Sequence, residues 1–508
     1  MKAAVIELAG AGPALEKRLA RTLADLASIG EKRAGTAGGA ASAAYLLERF
    51  HAAGLEQVHP ETFRFRAFAL RRSSLQALKR PIAHQALAYC GCGSAEAPLV
   101  HVGSGEPADY DGRDVAGRIA LVERNVTFHR SAQYREAVAR GAVALLHVSH
   151  APENLVQLGT VADPEDGLGP VPALSVGERD GRELIAAARG SGSRASLSVE
   201  AELEPARGNN VVGHLPGEGP ALLVGAHHDT WHVGSTDNGT GVAVLLELAA
   251  QLSRVPRRRK LVFVAWDGEE LGLFGGYDYL RKHLVEGREP TAAFVNLEIP
   301  GAGPDDIRAL AHTSALEGPL RATALDELYP VCVGMEMVPA MFGGVIPTDI
   351  QGLYRFGVPG ASTACDTPWY HTSADTPDKV HLPFLAQATA RWRRALATLD
   401  ALPDDEFGGR DPHLWALAAV TSEGQAGLHL DLRAARADGK PAGGARVEVW
   451  LDVDDFTRVF HAGLSADAAG AASLTIPREA LHRGTSGRYL HVTAGESWPL
   501  VERILPLR

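Results

Sequence analysis

Cysteine is scarce. Four cysteines in 508 residues exclude a disulfide-stapled scaffold. Cys90 and Cys92 stand one residue apart, which is not the spacing of a zinc or redox Cys-x-x-Cys, and Cys332 and Cys365 read as small buried apolar residues. Cationic charge is also short. A net charge of −11 and a pI near 6.0 leave no global positive field to hold nucleic acid or an anionic membrane surface. The one dense basic run, RRRK at 257–260, precedes an apolar strand and reads as a solvated corner. No apolar stretch reaches the roughly 18 residues that a membrane-spanning helix needs. The opening MKAAVIELAGAGPALEKR has no long apolar core, because Glu7 interrupts it. The expectation is a cytoplasmic protein, or a secreted one if the chain is a trimmed piece. Internal repeats and low-complexity tracts are lacking too.

What is present is ample apolar sequence, 45% of the chain, enough for full cores and for about three domains at the usual ~150 residues each. Residues 1–75 begin with two helices of 3.6-residue periodicity and end in a strand. Residues 76–205 carry short strands between glycines and prolines, with the helical SAQYREAVARGA among them, and read as a compact, mostly β module. Residues 206–402 alternate strand and helix: ALLVGAHHD, TGVAVLLELAAQL, KLVFVAWD, LFGGYDYLRKHL, AAFVNLE, DIRALAH, EGPLRATALDELY. That alternation predicts an α/β sheet with helices on both faces and ligands beyond the strands' carboxyl ends. Residues 403–508, after LPDDEFGGRDP, predict a small antiparallel β-sandwich.

Polar residues fit for chemistry fall at those strand ends. In GAHHDTWHVGSTDNGTG (225–241), side chains two apart in an extended segment share a face, so His227 and Asp229 face one way and His228 the other. A metal-bound histidine usually donates its second ring N–H to a carboxylate or carbonyl. This selects His227 as the ligand and Asp229 as its orienting group, and leaves His228 and His232 with structural roles. Asp237 precedes a helix, where a carboxylate serves equally as a cap or as a bridge between cations. Glu269 and Glu270 follow the strand LVFVAW, so that one could bind metal while the other takes a proton from water. Glu298 ends the strand AAFVNLE, and His371 and Asp375 lie in the loop WYHTSADTPDKVH. A lone loop histidine is more often solvated, the reading given to His312 and His381. Taken in order, His227, Asp237, Glu270, Glu298 and His371 are five possible ligands with Glu269 spare, which fits a two-metal hydrolase with positions open for water.

At these residues the chain resembles peptidase family M28, the co-catalytic zinc aminopeptidases and glutamate carboxypeptidase II relatives. The matching blocks are GAHHDTW, STDNGTG, AWDGEELGLFGG, VNLE and YHTSADTPD. The resemblance implies two zinc ions per chain, one held by His227, Asp237 and Glu298 and the other by Asp237, Glu270 and His371. It also implies Glu269 as general base, Asp229 orienting His227, and Asp375 supporting His371. Relatives usually carry aspartate at the Glu298 position, and the extra methylene moves the carboxylate. Residues 108–149 and 169–181 are similar to a protease-associated domain inserted into the catalytic domain, and GKPAGGARVEVWLDV resembles a carboxypeptidase regulatory-like sandwich. The fold implied is a mixed-sheet zinc-exopeptidase domain.

The expected activity is that of a zinc exopeptidase, foremost an aminopeptidase acting on a peptide or small amide, with no nucleic-acid or membrane partner. Other readings on the same site are a carboxypeptidase or N-acyl amino-acid amidohydrolase, a glutaminyl-cyclase-like enzyme, and a binding protein without activity. Anchoring a substrate carboxylate would need an arginine, and Arg355 lies in a candidate pocket segment. Asp349 and Tyr370 are further candidate pocket residues. The oligomeric state, a homodimer among the options, is left open by the sequence.

Overall fold

The computed structural model describes residues 11–507 apart from 163, 191–192, 302, 409–415, 437, 483–486 and 496–500. The first ten residues and the end of the junction at 402–412 therefore lie outside the described residues.

Four parallel strands form the centre, in the order Gly360–Asp366, Thr291–Asn296, Glu218–His227, Arg259–Trp266. Their apolar runs (ALLVGA, LVFVAW, AAFVN) suit strands buried on both faces. Antiparallel neighbours flank them: Ile307–His312 beyond Gly360–Asp366, and Arg194–Leu215 beyond Arg259–Trp266. One core packs helices Pro13–Ile29, Ala37–Ala52, Thr240–Leu252 and Leu382–Ala401 against the sheet through residues such as Leu19, Leu46, Leu245 and Trp392. A second core gathers Trp266, Phe274, Phe294, Leu353 and Tyr354. The strands end level: His227 pairs with Trp266, and Asn296 with both Gly225 and Ser362. The residues that follow each strand therefore emerge along one edge, where ligands of such sheets gather.

Two strands of 22 residues each, Glu56–Ala77 and Arg194–Leu215, pair antiparallel from Glu56 with His214 to Ala77 with Ala195. They carry the chain out to the inserted domain and back. There, Gly93–His101, Ile119–Glu123, Ala144–Val148 and Ala173–Val176 are joined by parallel pairing, with helices Arg130–Ala139 and Glu178–Ala188 around them and a separate core. The last hundred residues form a three-stranded and a four-stranded antiparallel sheet around their own core, which includes Leu430, Val449 and Leu490. Among the described residues no helix is long and apolar enough to cross a membrane.

Candidate metal centre

His227 is the last residue of its strand and Asp229 follows two residues later, both buried. The His227 ring turns its Nε2 towards Glu298 Oε1 at 3.1 Å and Asp237 Oδ1 at 3.2 Å. The other oxygen of Asp237 lies 3.0 Å from His371 Nε2, which is also 2.9 Å from Glu270 Oε2. Among the described residues two groups are arranged to hold a metal ion: His227, Asp237 and Glu298, and Asp237, Glu270 and His371. Asp237 belongs to both.

The donor chemistry fits divalent cations. Three carboxylates converge on two imidazoles in a buried space, and Glu270 Oε1 has no hydrogen-bond donor. Carboxylates crowded out of water need compensating positive charge. Without a metal that demand falls on the imidazoles. Burial opposes protonation of His227, but Glu298, Glu269, Asp229 and Asp237 overcome it and hold its pKa well above the usual value. His371 is likewise raised, against burial, by Glu270 and Asp237. Burial would raise the pKa of Asp237, but the two histidines prevail and hold it well below the usual carboxylate range. Imidazole nitrogens and carboxylate oxygens in sets of three are the donors that suit zinc.

The supporting contacts differ from the expected ones at two positions. His227 Nδ1 lies 3.0 Å from the backbone carbonyl of Asp229, with the nearest carboxylate oxygen at 3.6 Å. The Asp229 carboxylate instead accepts the backbone N–H groups of Glu269 and Glu270, at 3.1 and 3.2 Å. A turn that begins with two acidic residues needs acceptors for its free N–H groups, and Asp229 supplies them. Asp375 does not support His371; its two oxygens accept from the N–H groups of Thr236 and Asp237, at 2.7 and 3.1 Å. The ring partner of His371 is the carbonyl of Leu158, 3.1 Å from Nδ1, in the inserted domain.

His228 faces away and lies 3.1 Å from Ser42 Oγ and 3.0 Å from the Asn209 carbonyl. His232 has a left-handed backbone (φ 54°) and is half-buried. His381 is exposed and caps its helix by accepting from Phe384 N–H, whereas His312 is buried at a strand end rather than solvated. Glu298 is held by a hydrogen bond from Thr348 Oγ1 to Oε2, 2.9 Å, and by one from its own N–H to Thr363 Oγ1, 3.0 Å. Asn238 was not singled out by its sequence context. Its amide donates to the Leu297 carbonyl and accepts from Ile299 N–H, tying the Asp237 loop to both sides of Glu298.

Glu269 is half-buried at the mouth of the site, where burial pushes its pKa well above the usual value. Asp349 is buried with no donor to either oxygen, and burial raises it similarly. Tyr370 stacks on the His371 ring at 3.7 Å. Two cavities meet there. One of about 420 Å³ is lined by Glu269, Glu270, Arg130 and Arg355; the other, about 210 Å³, reaches Glu298 between Val333, Met335, Phe342 and Ile346.

Comparison with known proteins agrees with this architecture. Residues 210–396 match the model of peptidase family M28, and residues 95–184 match the PA domain. A probable lipoprotein aminopeptidase of Mycobacterium tuberculosis is 29% identical over 290 residues, covering 54% of this chain and 55% of the relative. A glutamate carboxypeptidase 2 homolog of Caenorhabditis elegans is 26% identical over 410 residues, covering 59% and 53%. The chain thus spans about half the length of these curated relatives. The structure of a zinc aminopeptidase from Bacillus subtilis aligns with a TM-score of 0.57 at 23% identity, over 75% of this chain and 94% of that one, a likeness of fold.

Proposed function

Because residues 210–396 belong to peptidase family M28 and residues 95–184 to the PA domain family, we propose that the chain is a zinc-dependent exopeptidase, an aminopeptidase with two zinc ions. The observation that carries the proposal is the pair of donor clusters sharing Asp237 beside an uncommitted carboxylate, Glu269. His227, Asp237 and Glu298 would hold one ion, and Asp237, Glu270 and His371 the other. Zinc bound there supplies Lewis acidity for a scissile carbonyl and lowers the pKa of a water towards about 7.

The chain's own residues do the rest. Glu269 lies next in sequence to a ligand and lines the cleft, so it takes the proton from the attacking water and passes it to the leaving amine. Asp229 holds the backbone of that turn and so fixes where the Glu269 carboxylate stands. Glu298, at the end of the apolar cavity, supplies negative charge for a substrate ammonium. The apolar cavity beside Glu298 suits an apolar N-terminal side chain. The experiment is hydrolysis of free-amine peptides against N-blocked ones, with and without a chelator. Chelator-sensitive hydrolysis confined to free amines is expected, and activity on blocked substrates alone would overturn the assignment.

One observation favours a second reading. Arg130 and Arg355 line the larger cavity, and guanidinium groups pair with carboxylates, as a carboxypeptidase or N-acyl amino-acid amidohydrolase requires. The same comparison separates the two.

A further inference from the structure

The last hundred residues lie outside both matched families, and the structure puts them against the active-site cleft. The cavity of about 420 Å³ that contains Glu269 and Glu270 has three walls. The inserted domain contributes Asp166, the catalytic domain Tyr277, and the C-terminal sandwich Trp450, Arg458 and His461. The sandwich is docked firmly. The Arg281 guanidinium donates to Asp452 at 3.0 Å and contacts His491 Nε2 at 2.9 Å, between the rings of Phe456 and Tyr489. His491 Nδ1 lies 2.7 Å from Glu502, which also accepts from Tyr277. The Arg281 and Asp452 side chains are each 3% exposed. A charge pair so buried is costly to separate, since each partner would be left uncompensated. Phe456 also packs on Phe274, 5.1 Å between centroids. Tyr277 and Arg281 belong to the helical segment that follows the Glu269–Glu270 turn, so the dock sets the sandwich beside the carboxylates.

A further contact bridges the two accessory domains. Arg458 pairs with Asp166 at 3.0 Å, joining the sandwich to the inserted domain at the cleft. Arg458 also lies over the Trp450 ring, which stacks on His491. A space of this volume is in the range of small-molecule sites rather than of a groove for an extended chain.

We propose that the C-terminal sandwich is the outer wall of the leaving-group side of the cleft, and that Trp450 and the Arg458–Asp166 latch restrict the substrate to short peptides, of dipeptide and tripeptide length. This rests on the exopeptidase reading above. The apolar cavity at Glu298 takes the N-terminal side chain on the exopeptidase reading, and the walled chamber, which meets it at Tyr370, takes the rest of the peptide. A longer chain meets Trp450 and the latch.

The test uses the zinc-loaded full chain carrying Glu269→Gln, titrated calorimetrically with leucyl-alanine and with an octapeptide beginning Leu-Ala. The octapeptide should bind at least about tenfold more weakly, and Arg458→Ala or Asp166→Asn added to that background should shrink the ratio several-fold. The two latch variants remove opposite partners, so loss of folding in one leaves the other to decide. Equal binding of both peptides overturns the proposal, as does an unchanged ratio in a folded latch variant or failure to bind either peptide. Turnover of leucine p-nitroanilide by the wild type is measured separately. Its absence alongside length-limited binding would remove the peptidase reading and leave the wall standing.

Discussion

The ring of His371 is held by the backbone of another domain: Nδ1 lies 3.1 Å from the carbonyl of Leu158, and Leu158 N–H donates to the His371 carbonyl at 3.0 Å. Next to it, the Gln157 amide donates to the Tyr370 carbonyl at 3.0 Å. A metal-binding histidine gains its tautomer and orientation from such a partner. The inserted domain therefore positions His371 in one of the two candidate metal-binding clusters as well as bordering the cleft.

Gln157 is the side chain through which that tie can be cut. Gln157→Ala should weaken retention of the metal at the His371 half by about tenfold, the size of effect that supporting partners of ligands have. The global stability loss should stay near 1 kcal/mol, typical of one hydrogen bond. Metal content after dialysis against graded chelator, alongside a thermal melt, checks both. Unchanged retention would mean that the segment only packs against the site.

His227 and His228 are adjacent and equally buried, yet only the first points its Nε2 at the carboxylates. His227→Gln should lose metal and activity together. His228→Gln should keep both metals and at least about a third of the turnover, with a cost of about 1–3 kcal/mol from its two broken contacts. Zinc analysis and melting of the two purified variants decide this. Metal loss in His228→Gln but not in His227→Gln would reverse the assignment.

That distinction was legible from strand alternation, and the order of strand-end residues marked the whole cluster, because a parallel sheet brings those ends to one edge. The supporting contacts were not. Leu158 acts through its carbonyl, which every residue has, so no side-chain signal exists. Asp229 was recognised, but its carboxylate serves amides forty positions on, at Glu269 and Glu270, a pairing that depends on parallel strands being neighbours. The resemblance places Asp375 beside His371, whereas the loop folds back so that its carboxylate meets Thr236 and Asp237. Arg281 reads as an ordinary helix charge until the sandwich docks on it.

Asp375 accepts two N–H groups in a buried loop, and one of them belongs to Asp237, the residue common to both candidate clusters. Asp375→Ala leaves both donors unsatisfied, at about 1–3 kcal/mol each. Both metals should be lost together, because Asp237 serves both clusters. Stepwise removal of a single metal in this variant would show that the clusters are not coupled through Asp237.

Glu298 reaches Thr348 with one oxygen and His227 with the other. Glu298→Asp, which shortens the arm by one methylene, cannot keep both contacts. Affinity for the metal at the His227 half should fall by about tenfold, with Thr348→Val, which removes the supporting donor, giving a similar loss. Competition with a chromogenic chelator measures it. Tighter binding in the aspartate variant would contradict the role given to the longer side chain.

The most direct test of the central claim is zinc content and turnover measured on one preparation of Glu269→Gln. The account predicts two zinc ions per chain, as in the wild type, with hydrolysis of free-amine substrates reduced by about 10²–10⁴-fold, the contribution of a positioned general base. Full zinc occupancy with near-normal hydrolysis would contradict it.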